Sequence, residues 1–214
     1  AAGSFGGDVY LVDLESGEVQ TLSPAGVSGV QDIHFNSDGT RVVSAVFGGK
    51  GRVWDTASAE MVFETPATDF YSSAAFHPNG NVVALGSSPI SKLEWGKVEL
   101  WDVVKRTQVS DPLMSKGQAT EGRMRFSHSG RMLAVGTFRG DVTVWEFPTG
   151  AKLLESSTGV PAQTIVLNVE FSHDDRRLAV TSFDNSTKLG KLTMFDLPPM
   201  ERAAPMWLAE LAEV

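Results

Sequence analysis

Apolar and polar residues alternate in short runs along most of this chain, and the runs come in pairs. The same arrangement returns around four phenylalanines: DIHFNSDGTRVVSAV (32–46), SAAFHPNGNVVALG (73–86), RMRFSHSGRMLAVG (123–136) and NVEFSHDDRRLAVT (168–181). Each of Phe35, Phe76, Phe126 and Phe171 ends an alternating segment; a tight polar turn follows, then an apolar run rich in Val, Leu and Ala. Alternation with period two on both sides of an Asp-Gly, Asn-Gly, Ser-Gly or Asp-Asp turn predicts a β-hairpin. A third run follows in every copy and ends on an apolar or aromatic residue and an acid: Leu11-Val12-Asp13, Val53-Trp54-Asp55, Leu100-Trp101-Asp102, Val144-Trp145-Glu146 and Met194-Phe195-Asp196. That acid opens a turn, where a short carboxylate accepts backbone N–H groups. Weaker segments such as 18–22, 60–64 and 151–155 supply a fourth strand.

The chain is also similar to itself end to end. Ala1 to Asp13 align without a gap on Ala134 to Glu146, with six of thirteen positions identical. The four phenylalanines recur every 41 to 50 residues, and four strands in such a period is the dimension of one propeller blade. Because the interior copy is preceded by the first part of a strand, residues 1 to about 5 are expected to be the end of a second strand. On that reading the 214 residues are the C-terminal piece of a longer array.

The residues that carry the period resemble the WD40 repeat, in which one strand ends FSPDG, the next reads LASGS and a third ends LWD. Trp54-Asp55 and Trp101-Asp102 match it literally, and the resemblance covers residues 1–197. It implies an all-β fold, an incomplete WD40-type β-propeller of about four and a half blades. The expected units are a blade tail (1–22), blades at 28–66, 69–110 and 121–156, and a last unit at 165–196 with three strands. A Pro-rich connector (198–205) cannot extend a sheet, since proline lacks the N–H donor. Beyond it Trp207, Leu208, Leu211 and Val214 stand at helical spacing behind Pro205, predicting a short amphipathic helix at 206–214. This ending is similar to that of WD40 arrays in large bacterial proteins, some of which carry a serine/threonine kinase domain upstream.

Departures from the family are equally readable. WD40 blades are often braced by a Gly-His pair nine to ten residues before the Phe, bonded to an Asp ahead of the Trp strand. Here the position nine before each Phe reads Gly26, Ala67, Gly117 and Ala162, and the Asp position is Gly48 before Trp54 and Arg139 before Trp145. Each blade is therefore expected to rely more on apolar packing, because a polar network lost at both ends costs little.

Composition narrows the partners. A net charge of −8, from 26 acidic and 18 basic residues, argues against a nonspecific grip on nucleic acid or on anionic membrane, both of which reward positive charge. With no cysteine there is no disulfide, thiolate metal site or Cys nucleophile, and the cytoplasm is the expected location. No cofactor is expected. The histidines His34, His77, His128 and His173 recur by blade, too far apart to share a metal. Gly26 to Gly29 is one residue short of a nucleophile elbow, Gly48 to Gly51 lacks P-loop spacing, and Asn185-Ser186-Thr187 fits a glycosylation sequon but, without a sign of secretion, is not expected to be modified.

Two candidate sites remain. On the innermost strands Asp32, His34, Arg123, Arg125 and Glu170 form a polar column along the channel, with an ion pair expected between Arg125 and Glu170 of adjacent blades. On the loop face, Ser87 to Gly96 and Asp184 to Gly190 are expected to be the long loops. Phe70, Tyr71, Lys92, Trp95, Arg139 and Lys188 are the candidates there for binding protein or peptide partners. The leading expectation is a noncatalytic interaction scaffold, which would also contact N-terminal blades of its own chain. The alternatives are a ligand-binding or enzymatic propeller with a central-channel site, and a spacer or intramolecular regulator of an upstream catalytic domain.

Overall fold

The computed structural model describes residues 1–23, 29–66, 70–87, 95–116, 119–159 and 163–199; within these, the side chains of residues 23, 95, 116 and 119–123 are not described. The helix expected at 206–214 and residues 200–205 of the connector lie outside them. Among the described residues every regular element is a strand.

The strands form five sheets in chain order. The first holds β1 (Ala2–Gly3), β2 (Val9–Val12) and β3 (Val19–Ser23); the second holds β4 (Val30–Phe35), β5 (Arg41–Val46), β6 (Arg52–Asp55) and β7 (Met61–Glu64). The third runs β8 (Tyr71–Phe76), β9 (Val82–Ser87), β10 (Trp95–Asp102), β11 (Thr107–Gln108), with β12 (Leu113–Lys116) also on β10. The fourth contains β13 (Ala119–Phe126), β14 (Met132–Thr137), β15 (Asp141–Glu146) and β16 (Lys152–Ser157); the fifth has three strands, β17 (Thr164–Phe171), β18 (Arg177–Asp184) and β19 (Leu189–Asp196). Every pairing is antiparallel between chain neighbours, β12 apart, so each sheet is a meander. The innermost strands β4, β8, β13 and β17 pack side by side, as in an arc of propeller blades.

Adjacent sheets share the core. Val9 and Leu22 meet Val42 and Trp54 between the first two sheets; Val43 and Phe63 meet Leu85 and Trp101 between the second and third. Val98 and Leu100 meet Met124 and Trp145, and Val142 and Val144 meet Phe171 and Val180. The alternation read from the sequence is thus two-sided: one set of side chains faces the preceding sheet and the other the following one. Small residues allow the approach. A Cβ on Gly136 would stand 2.3 Å from Val166 Cγ1, and one on Gly51 would stand 2.3 Å from Leu85 Cδ1.

Three of the five acids that end the third strands act as turn caps. Asp13 accepts the N–H groups of Glu15 and Ser16, Asp55 those of Ala57 and Ser58, and Asp102 those of Val104 and Lys105. The third sheet departs from expectation at its outer edge. The blade drawn to 110 continues to Lys116, because its fourth strand is split: Trp101 and Asp102 pair with β11, and Trp95 to Val98 pair with β12. Pro112 lies between the two pieces and offers no N–H to continue the ladder. The two supposed long loops are also shorter than expected. Strand β9 runs to Ser87 and β10 starts at Trp95, while β18 and β19 leave only residues 185–188 as a hairpin turn.

Candidate functional site

Antiparallel meanders separate two ends of the arc. Turns from first to second strand and from third to fourth lie at one end; turns from second to third, and the connections between sheets, lie at the other.

At the first end the turns are stitched in series. Arg41 Nη1 donates to Gly80 O and Asn81 Oδ1 at 3.0 and 3.1 Å. His77 Nε2 lies 3.0 Å from Gly130 O, and Asp175 accepts the N–H groups of His128 and Ser129, both at 2.9 Å. A carbonyl only accepts, so His77 carries its proton on Nε2 and takes Asn79 N–H on Nδ1 at 3.1 Å. Burial pushes the His77 imidazole below its ordinary pKa. Burial alone would raise Asp175, but the hydrogen bonds from Ser129 and His128 hold it below the usual carboxylate range. Gly130 sits at φ +73°, and a Cβ there would stand 2.3 Å from His77 Nε2, so the turn requires glycine twice over.

The channel column forms a line across four sheets. Asp32 Oδ2 accepts Ala74 N–H of the third sheet at 3.0 Å, and its Oδ1 lies 2.9 Å from His34 Nε2. His34 Nε2 is also 3.4 Å from Arg125 Nη1 of the fourth sheet, reaching past the small side chain of Ala75. Arg125 Nη1 donates to Met124 O at 2.9 Å, and its Nε lies 3.9 Å from Glu170 Oε2. That last separation is long for a charged pair. Glu170 pairs with Ala179 across β17 and β18, on a face that no described sheet covers, and its side chain is 59% exposed. Arg123 stands on β13 with its side chain outside the description.

The loop-face candidates divide. Phe70 meets Phe47 edge to face at 5.0 Å. Arg139 is half-buried in the turn after β14, where its N–H donates to Thr137 Oγ1. Lys188 is exposed and closes the last hairpin, its N–H donating to Asp184 O at 2.8 Å. Tyr71 is not a surface anchor: it starts β8, is 2% exposed, and its hydroxyl donates to Glu99 Oε2 at 2.7 Å. Trp101 Nε1 donates to the same oxygen at 3.2 Å, and Lys97 Nζ lies 2.9 Å from Oε1. This buried carboxylate braces the third sheet where the usual Gly-His and Asp pattern is absent. Trp95 belongs to β10 rather than to a loop, with its side chain outside the description, and Lys92 lies outside the described residues.

Sequence reasoning missed the feature that dominates this end. Phe47 and Phe138 follow the second strands of the second and fourth sheets, Phe5 follows β1 of the first and aligns with Phe138, and the three are 97%, 45% and 41% exposed in the order Phe5, Phe47, Phe138. The signal was present, since Phe5 and Phe138 coincide in the end-to-end alignment.

Comparison with known proteins agrees with this geometry. Residues 17–55 match the family WD domain, G-beta repeat. The chain is 26% identical over 187 residues to mouse telomerase protein component 1, covering 87% of the chain and 7% of the relative. The rat protein of the same name is 22% identical, with 88% and 8% covered. The chain thus spans less than a tenth of these relatives, and neither is bacterial. Among solved structures, the Cps50 (Swd1) β-propeller domain of Myceliophteria thermophila superposes with a TM-score of 0.72 at 19% identity, over 94% of this chain and 62% of that one. Hydrazine synthase of Kuenenia stuttgartiensis gives 0.71 at 14% identity, over 88% and 56%.

Proposed function

Starting from a chain that is a WD40-repeat protein with a β-propeller fold, we propose that it is a noncatalytic scaffold module which docks protein or peptide partners on the loop end of the arc. One observation carries this reading: three sheets each expose a phenylalanine at the same turn position, 97%, 45% and 41% accessible. A solvated aromatic ring is a cost to the free protein and an anchor in a complex, and aromatics are enriched where interfaces concentrate their energy. Phe70 extends the row from Phe47, and Arg139 and Lys188 supply polar contacts at its rim. WD40 propellers generally bind protein partners, which favours this end over a catalytic role.

The module is further proposed to be one part of a long cytoplasmic protein. The small share of the mouse and rat telomerase components that the chain covers supports the first half of that statement.

Photo-crosslinking tests the docking face. A benzoylphenylalanine in place of Phe47 or Phe138 is expected to give discrete protein adducts in extracts of the source cells. The same group in place of Lys105, in a turn at the opposite end, should not. Adding Phe5→Ser and Phe70→Ser should abolish the adducts. Identical adducts from both ends, or adducts indifferent to the serine substitutions, would refute the assignment.

A further inference from the structure

The end of the arc opposite the aromatic row contains a cavity of about 530 Å³, within the range of ligand pockets of roughly 300–1,000 Å³. Two kinds of surface line it. Phe35, 46% exposed, and the partly buried Phe76 and Phe126 form an apolar wall, and Arg125, His34 and Glu170 form a polar one.

Arg125 is the chemically unspent group. Its Nη1 donates to Met124 O at 2.9 Å, which anchors the guanidinium, while His34 Nε2, 3.4 Å away, is taken by Asp32 and does not accept from it. Among the described residues its Nη2 makes no hydrogen bond, so two N–H donors on an oriented, 31% exposed side chain stand ready at the cavity wall. Glu170 does not use them: it lies 3.9 Å from Nε on a largely solvated side chain. Charge-assisted N–H···O bonds run about 2.7–2.9 Å, and a pair this loose and exposed contributes little. A carboxylate from outside would therefore meet a preoriented guanidinium edge and displace only a weak internal competitor. His34 Nε2 is held by Asp32 at 2.9 Å, which keeps that carboxylate from competing for Arg125.

We propose that this cavity is a second binding site, for a peptide carboxylate flanked by an apolar side chain. The carboxylate bonds Arg125 Nη2, and the apolar group packs on Phe35, Phe76 and Phe126. The site is independent of the loop end and requires nothing of the aromatic row.

The test is titration of the 214-residue chain with acetyl-Phe-Glu-amide, acetyl-Phe-Gln-amide and acetyl-phenylalanine, followed by amide chemical shifts. Binding in the millimolar range is expected for a carboxylate ligand of this size. The Glu peptide should move resonances of residues around the cavity, and the Gln peptide should bind at least about tenfold more weakly. Acetyl-phenylalanine reads the alternative source of the carboxylate: binding tighter than the Glu peptide assigns the site to a chain terminus, and weaker binding assigns it to an acidic side chain. Arg125→Met should abolish binding, Glu170→Gln should tighten it about threefold by removing the competitor, and Lys105→Met should leave it unchanged. Equal binding of the Glu and Gln peptides overturns the proposal. So does unchanged affinity in Glu170→Gln, a substitution on an exposed side chain that leaves the fold intact, or no cavity shift with any probe.

Discussion

His77 shows how a single side chain ties this architecture to pH. Its neutral form satisfies two bonds at once, Nε2–H to Gly130 O and Nδ1 from Asn79 N–H, and burial holds its pKa below the ordinary value. An unfolded histidine titrates near 6.5. With the folded pKa depressed, the unfolded chain binds more protons below that pH, so this stabilisation is complete above about 6.5 and is lost as the pH falls through the folded value. The unfolding temperature is expected to drop between pH 7.5 and 5.5. In His77→Gln it should start lower and vary less over that interval, as thermal denaturation at matched ionic strength will show. The histidine column was visible in the sequence, but which of its members is buried between two blades was not. What distinguishes His77 is burial against the next turn, where Gly130 leaves room.

Elements are joined here by a division of labour between small and large side chains. Small residues such as Ala45, Ala84 and Ala134 stand beside Phe63, Leu100 and Met132 on the sides that receive the next sheet, and the next sheet inserts Trp101, Trp145 and Phe171 against them. Gly136 shares with Gly51 the tightest approach that depends on packing rather than on φ, and here an added Cβ would meet both Cγ1 and Cβ of the branched Val166. Gly136→Ala is therefore expected to destabilise the protein by about 1–3 kcal/mol, read from the urea midpoint at unchanged slope. Pairing it with Val166→Ala should recover part of the loss, because the second substitution vacates the colliding volume. The strands and their order followed from alternation and turn chemistry. The split outer strand of the third sheet did not, because two residues of β11 and four of β12 are too short to announce themselves by period.

Across the whole molecule, among the described residues, the two end sheets of the arc escape mutual burial: Val12 and Val19 of the first are 40% and 62% exposed, and the last presents the larger apolar face. Leu192 and Met194 hold the positions that Val142 and Val144 hold one sheet earlier; those valines are fully buried, whereas Leu192 and Met194 are 64% and 51% exposed. An apolar face beside a strand edge that no described residue pairs is a template for association. The 214-residue chain should self-associate at micromolar concentration, and the double variant Leu192→Lys and Met194→Lys should remain monomeric by light scattering with its unfolding temperature little changed. A wild-type chain that stays monomeric and unfolds in one sharp reversible transition would contradict this picture.

The sequence by itself determined the repeat, the strand order, the turn caps and the family likeness, because these depend on contacts within one hairpin and are written in local spacing. It also placed the Arg125 and Glu170 columns in register. Tertiary structure alone decided which residues of that register meet and which face solvent. Tyr71, expected on the surface, became a buried donor to Glu99, and the phenylalanines of the second-to-third turns were left exposed. Arg125 was turned toward a cavity with part of its guanidinium unspent. Each of these outcomes depends on how one blade leans on the next, a relation between residues some forty positions apart to which alternation within a strand is blind.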